Sequence, residues 1–131
     1  IRGEKMKKTK ILKKNYEFKK VLTKGKYYSG KNIEAFIIKN NSKYNFLGLA
    51  ISVKSGKAVK RNHVKRLIRE NYKNIEETIS TGYSIVILWK KKMDIKNANY
   101  QEIKQDMDNI IVKAKLNSNK ENIWKKYLLV S

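Results

Sequence analysis

An α+β fold, with helices packed on a β-sheet in the order α-β-β-α-β-α, is what this 131-residue sequence predicts. Three short, apolar, partly β-branched runs read as strands: Ile33 to Ile38, Phe46 to Val53 and Tyr83 to Trp89. Between the last two lies a long segment of helical periodicity. In it Val64, Leu67, Ile68, Tyr72, Ile75 and Ile79 share one face at about 100° per residue. Shorter amphipathic segments flank the strands at both ends. The length is that of a single domain, 1–131, and 40% hydrophobic content supplies a modest core.

Ile1 to Lys5 precede Met6-Lys7-Lys8, which has the form of a natural start, so the first five residues are expected to be an extraneous remnant. Lys7 to Lys14 is basic and is expected to stay mobile until it binds a partner. Asn15 can cap a short helix with Phe18, Val21 and Leu22 on its apolar face, and Gly25 can end the turn after it. Asn40-Asn41-Ser42-Lys43 has turn composition, so the first two strands are expected to form an antiparallel hairpin. Ser55-Gly56 opens the loop into the long helix, expected from Ala58 to Ile79, which Ser80-Thr81-Gly82 stops. The third strand is almost continuously apolar, which predicts burial on both faces, and Lys90-Lys91-Lys92 closes it. Asn97 or Asn99 can cap a further helix carrying Ile103, Met107, Ile110, Ile111 and Ala114. Asn117-Ser118-Asn119 breaks the chain before a tail, 116–131, with Ile123, Trp124, Tyr127 and Leu128 on one side. The strand-helix-strand unit around the long helix suits a parallel crossover, for which a right-handed path is the usual expectation.

Charge selects the class of partner. A net charge of +21 favours a polyanion, nucleic acid ahead of an anionic membrane surface. No apolar run approaches the roughly 18 residues of a membrane span. There is no secretory signal and no cysteine, so a cytoplasmic protein without a membrane partner is expected. The long helix concentrates the charge. Asn62, Lys65, Arg66, Arg69 and Lys73 share the face opposite its apolar stripe, and Glu70 is the single acid between Lys57 and Lys73. A solvated helix face ordinarily mixes signs, because like charges at i,i+4 repel. This one is expected to meet an external anion. Lys60 and Arg61 fall off the stripe but stand in the first turn, where backbone N–H groups also meet phosphate. Asn62 can bridge backbone or base edges. Phe18, Phe36 and Tyr27-Tyr28 are interleaved with lysines, as in proteins that hold single strands by stacking. Core packing is the competing reading of the two phenylalanines.

Catalytic constellations are thin. His63, the single histidine, sits among cations and reads as one more RNA-facing donor rather than a general base. Asp106 and Asp108 do not share a helix face; Glu102 and Asp106 do, at a commonplace spacing. No Cys, one His and no paired acid motif give little support to a metal held by the protein. No glycine-rich loop matches a nucleotide fingerprint, and no small-molecule substrate is expected.

The run Lys57-Ala58-Val59-Lys60-Arg61-Asn62-His63-Val64-Lys65-Arg66-Leu67-Ile68-Arg69 resembles the signature of the protein subunit of bacterial ribonuclease P. That signature is Ala-Val, one residue, then Arg-Asn-Arg, followed by a basic amphipathic helix. Leu12 to Leu22 resembles the family's opening helix, Gly25 falls where a glycine is expected, and Gly48-Leu49-Ala50-Ile51-Ser52 resembles the strand before the signature. The resemblance spans roughly Lys7 to Ala114. It implies an α/β sandwich with a left-handed βαβ crossover, which overrides the right-handed expectation. It also implies an endoribonuclease that matures the 5′ end of transfer RNA, with a catalytic RNA subunit performing hydrolysis through Mg²⁺ that the RNA mainly binds. The protein's partners are then that RNA and the single-stranded 5′ leader of precursor tRNA, and no catalytic residue is expected in the protein. Carried onto this chain, Lys60, Arg61, Asn62, His63, Lys65, Arg66 and Arg69 are expected to face the RNA subunit. Phe18, Leu22, Phe36, Lys54, Arg61 and Asn62 are expected along the leader cleft. Three positions depart from the pattern. His63 replaces the second signature arginine, so charge there follows pH. Leu22 stands where a cleft aromatic is common, and Val53 replaces one of two consecutive lysines. A structural RNA binder such as a ribosomal protein is the alternative. It explains the charge but not the helix signature or the aromatics.

Overall fold

The computed structural model describes residues 6–117. The expectations for the first five residues and for Ile123, Trp124, Tyr127 and Leu128 lie outside them. The elements are β1 (Thr9–Ile11), α1 (Asn15–Lys24), β2 (Lys26–Ser29), β3 (Ile33–Lys39), β4 (Asn45–Ala50), α2 (Ala58–Ile75), β5 (Tyr83–Trp89) and α3 (Tyr100–Lys113). The fold is α+β, as expected, with two strands, β1 and β2, that the sequence reading did not contain.

The apolar run of β5 dictates the topology. Ser84, Ile85, Val86 and Ile87 are all buried, so this strand needs cover on both faces and a neighbour on both edges. It takes the centre of a five-stranded sheet ordered β1-β4-β5-β3-β2. β4 and β5 are parallel, joined by α2, while β3 runs antiparallel to β5. The expected hairpin between the first two predicted strands is therefore wrong. Asn40 to Tyr44 instead carries the chain past the position β5 occupies, and Ser84 accepts from Asn40 Nδ2 at 3.2 Å there.

Alternation along β3 sorts the two faces. Ile33, Ala35 and Ile37 are buried against the layer formed by α2 and α3, whose Val64, Ile68, Tyr72, Ile103, Met107 and Ile110 complete the main core. Burying Val64 and Ile68 contributes on the order of 1.5–3 kcal/mol each, which fixes the rotation of α2. Glu34, Phe36 and Ile38 point to the other face, which among the described residues is covered by Leu12 and by Phe18, Val21 and Leu22 of α1. α2 ends at Ile75 rather than Ile79. Glu76 begins a 3-10 turn and directs its carboxylate inward, and Ile79 reaches the core from beyond the helix. The chain after β4 also differs: Val53 lies not in a strand but in a 3-10 turn, Val53–Ser55.

The start of the N-terminal segment is tied to the fold rather than left free for a partner. Lys7 and Lys8 donate backbone N–H groups to the two Glu76 carboxylate oxygens at 3.2 Å each, and Thr9 Oγ1 lies 2.7 Å from the buried Tyr72 hydroxyl. β1 then adds parallel to β4 as an edge strand. Asp106 plays the matching part at the other edge. Its carboxylate accepts from the backbone N–H groups of Lys31, Asn32 and Ile33 at 2.8, 2.8 and 3.2 Å, holding the β2–β3 turn on α3. Gly30 permits that approach, since a Cβ there would lie 2.7 Å from the Asp106 carboxyl carbon. Asn99 caps α3, its Oδ1 accepting from the Glu102 N–H at 2.9 Å. No helix among the described residues is long and apolar enough to cross a membrane.

Candidate nucleic-acid interface

The apolar stripe of α2 faces the core, so its cationic face must point out. Asn62, His63, Arg66 and Arg69 are exposed and, with Val59, line one open hollow of about 510 Å³. Lys57, Lys60 and Lys73 are exposed on the same helix, whereas Lys65 is half-buried. Compensation is slight. Arg66 Nε approaches Glu70 at 3.7 Å, with both side chains more than half exposed, and such pairs contribute about 0–1 kcal/mol.

The acids are engaged elsewhere. Glu17, Glu76, Asp94 and Asp106 accept backbone N–H groups. Glu102 binds Lys31 Nζ at 2.8 Å and Asn32 Nδ2 at 3.1 Å. The Lys31 ammonium holds the Glu102 carboxyl below its ordinary range, and the carboxylate raises Lys31 in turn. Carboxylates thus build turns and caps, and the α2 face keeps its positive field.

Two expected polar residues also have structural contacts. Arg61 is half-buried, and its Nε donates to the Gly56 carbonyl at 3.0 Å, bracing the loop that enters α2. That engages one of five guanidinium donors. Lys54 is exposed in the 3-10 turn after β4, with its backbone N–H bonded to Ser52 Oγ at 3.2 Å.

The aromatic residues gather on the α1 side of the sheet. Phe18, Leu22 and Phe36 are half-buried around Leu12, Val21 and Val86. Phe18 lies directly on Gly48, where a Cβ would meet its ring at 2.6 Å, so glycine allows the helix to sit this close. Phe36 pairs with Tyr27 across β2 and β3, ring centroids 5.2 Å apart and tilted by 53°. Tyr27 remains 49% exposed, and its hydroxyl donates to Glu34 Oε2 at 2.6 Å, which pushes its pKa up. Phe18 and Phe36 thus take part in packing while keeping part of their surface accessible.

Two aromatic features escaped the site reading. Tyr16 is 67% exposed on α1. The Tyr44 ring has Lys10 Nζ at 4.3 Å and Lys43 Nζ at 5.6 Å from its centroid. Tyr16 could have been found as an aromatic off the apolar stripe of its helix. The approach of Lys10 to Tyr44 depends on β1 pairing and has no local signal. Among the described residues no group of three or more His, Cys, Asp or Glu is placed to hold a metal ion.

Comparison with known proteins places the chain in a family. The ribonuclease P family model matches residues 6–115. The ribonuclease P protein component of Clostridioides difficile is 40% identical over 104 residues, covering 79% of this chain and 90% of that protein. That of a Thermoanaerobacter species is 34% identical over 110 residues, covering 84% and 93%. Among solved structures, the Staphylococcus aureus RNase P protein superposes with a TM-score of 0.70 at 28% identity, covering 82% of this chain and 96% of that one. The Thermotoga maritima protein gives 0.69 at 25% identity, covering 76% and 93%.

Proposed function

The chain belongs to the ribonuclease P protein family, and from that premise we propose that it binds the catalytic RNA through the outward face of α2 and holds the 5′ leader of precursor tRNA on the α1 side of the sheet. The observation that carries the first half is the exposed row Asn62, His63, Arg66 and Arg69, compensated only by the weak Arg66–Glu70 pair among the described residues, with Lys60, Arg61 and Lys65 beside it. Lysine and arginine neutralise phosphates there, and arginine adds bidentate geometry. The second half rests on Phe18, Leu22 and Phe36 meeting on a face that, among the described residues, α1 covers in part; Lys54, Arg61 and Asn62 are assigned polar contacts to the same leader. A structural role in another ribonucleoprotein accounts for the charge but leaves that partly open aromatic face without a use.

The protein's part in this scheme is positioning and electrostatics. Its carboxylates are engaged in caps, turns and ion pairs, and the described residues do not fit a metal site of their own. Following what membership of the family implies, we assign Mg²⁺ and the hydrolytic step to the RNA. The cationic face lowers repulsion between two polyanions, and the aromatic face orients the leader.

Reconstitution tests this directly. Added to a ribonuclease P RNA and precursor tRNA at low Mg²⁺, the protein should enhance cleavage at the mature 5′ end. No enhancement at any Mg²⁺ concentration would leave only generic RNA binding. Affinity for the RNA should also depend steeply on salt. With about five phosphates neutralised, log K should fall with log salt at a slope of about −3.5 to −4.5. A flat titration would remove the electrostatic basis of the proposal.

A further inference from the structure

A row of side chains crosses the α1 face of the sheet at one end. Lys10 stands opposite Phe46, Phe46 opposite Ser84, and Ser84 opposite Ile38. Together with α1, the inner part of this row lines an open hollow of about 290 Å³. Phe46, Ile38 and Val21 supply its apolar surface, and Tyr16, Lys20 and Lys39 stand around it. Glu17 also lines it, but its carboxylate accepts the Lys14 N–H at 3.2 Å. The hollow lies near the lower limit of small-ligand clefts and has room for one nucleobase. Lys10 and Lys43, both set against the Tyr44 ring, add positive charge at the β1 side.

The hollow shares Leu12, Val21, Ile38 and Phe46 with the apolar cluster that contains Phe36, but Phe18, Leu22 and Phe36 do not line it. At about 100° per residue, Tyr16 and Lys20 lie roughly 120–160° around α1 from Leu22. α1 therefore separates the two flanks. The exposed surface between them carries Lys19 and Thr23, both fully on the solvent side. A single strand leaving the Phe36 flank can cross this basic surface, about one helix diameter of 10–12 Å, and reach the hollow.

From this we infer that the hollow beside Tyr16 is a second single-strand subsite, taking an unpaired base of the leader upstream of the segment held at Phe36. Tyr16 offers the stacking face, and Lys20 and Lys39 meet the adjoining phosphates. The occupant is RNA because the flanking charge is positive on three sides and the surface between the walls is aromatic and aliphatic. The inference rests on the leader-binding reading above, and extends it across α1.

The test is precursor affinity for the reconstituted holoenzyme over a series of leader lengths, with Tyr16→Ala, Tyr16→Phe and Phe36→Ala. Tyr16 is 67% exposed, so its truncation removes no core contact, and unchanged thermal unfolding verifies that. Tyr16→Ala should weaken binding about fivefold or more, but only for leaders long enough to pass α1. Tyr16→Phe keeps the ring and should bind like the wild type. Equal affinity of Tyr16→Ala and wild type at every length overturns the subsite, as does equal weakening on mature tRNA. Phe36→Ala separates the two readings. If it weakens short leaders while Tyr16→Ala never matters, the leader cleft stands and the second subsite falls. If wild-type affinity does not grow with leader length, both fall.

Discussion

Asp106→Ala should lower stability by about 3 kcal/mol or more, the largest loss expected from any single change at a charged residue of this protein. The carboxylate is 5% exposed and accepts three backbone N–H groups, those of Lys31, Asn32 and Ile33. Truncation leaves these donors without a partner, and the backbone of Asn32 and Ile33 is buried out of reach of water. Each orphaned buried donor costs about 1–3 kcal/mol. For a domain of this size the melting temperature should fall by about 10 °C or more. Asp106→Asn should be intermediate, because an amide keeps one acceptor oxygen but turns a donor toward N–H groups. Glu102→Ala provides the contrast. Its ion pair with Lys31 is solvent-accessible and contributes little, but Glu102 also accepts from Asn32 Nδ2, so truncation orphans one donor and should cost less than the three lost at Asp106. Thermal or urea unfolding checks all three, and an Asp106→Ala protein as stable as Glu102→Ala would show that other contacts hold the turn. The consequence reaches the proposed leader-binding surface, since this turn adjoins the pairing of Tyr27 with Phe36.

How much of this was readable in the sequence depends on where each signal resides. The faces of α2 were legible because eighteen consecutive helical residues average out local exceptions, and the apolar positions repeat at the helical period. The central place of β5 followed from a run with no polar alternation. β1 and β2 were not legible. They are three and four residues long, and Thr9-Lys10-Ile11 and Lys26-Tyr27-Tyr28-Ser29 carry no apolar pattern. Their places are fixed by distant groups: Glu76 and Tyr72 hold the first, and Asp106 holds the turn after the second. The hairpin expectation failed for a related reason. Turn composition between two strands says that the chain reverses but not which strand lies next to it, and here β5 had the greater need of two neighbours. The same division runs through the candidate site. The cationic face of α2 is local, and its exposed Asn62, Arg66, Arg69 and Lys73 were legible, while Lys65 proved half-buried. The hollow beside Tyr16 is assembled from β3, β4, β5 and α1, with Leu12, and no window of sequence contains it.

Phe36→Ala should discriminate between precursor and mature tRNA, raising the precursor dissociation constant about fivefold or more while leaving mature tRNA unaffected. The alternation of β3 is the basis. Ile33, Ala35 and Ile37 are buried toward α2 and α3, so Phe36 necessarily turns to the face that α1 covers in part. There it is half-buried, with Tyr27 against one side. A base stacked on such a ring contributes roughly 1–3 kcal/mol, and only the precursor has a leader to supply it. Because the ring also packs in the Val86 cluster, Ala removes two things at once. Phe36→Leu separates them: it retains apolar volume and loses the aromatic face. If stacking is the role, Leu should bind the precursor about as weakly as Ala while unfolding closer to the wild type. If packing is the role, Leu should restore precursor binding. Equal weakening of precursor and mature tRNA would place Phe36 in the fold or against the tRNA body. Unchanged binding of both would put the leader on another path, away from β3.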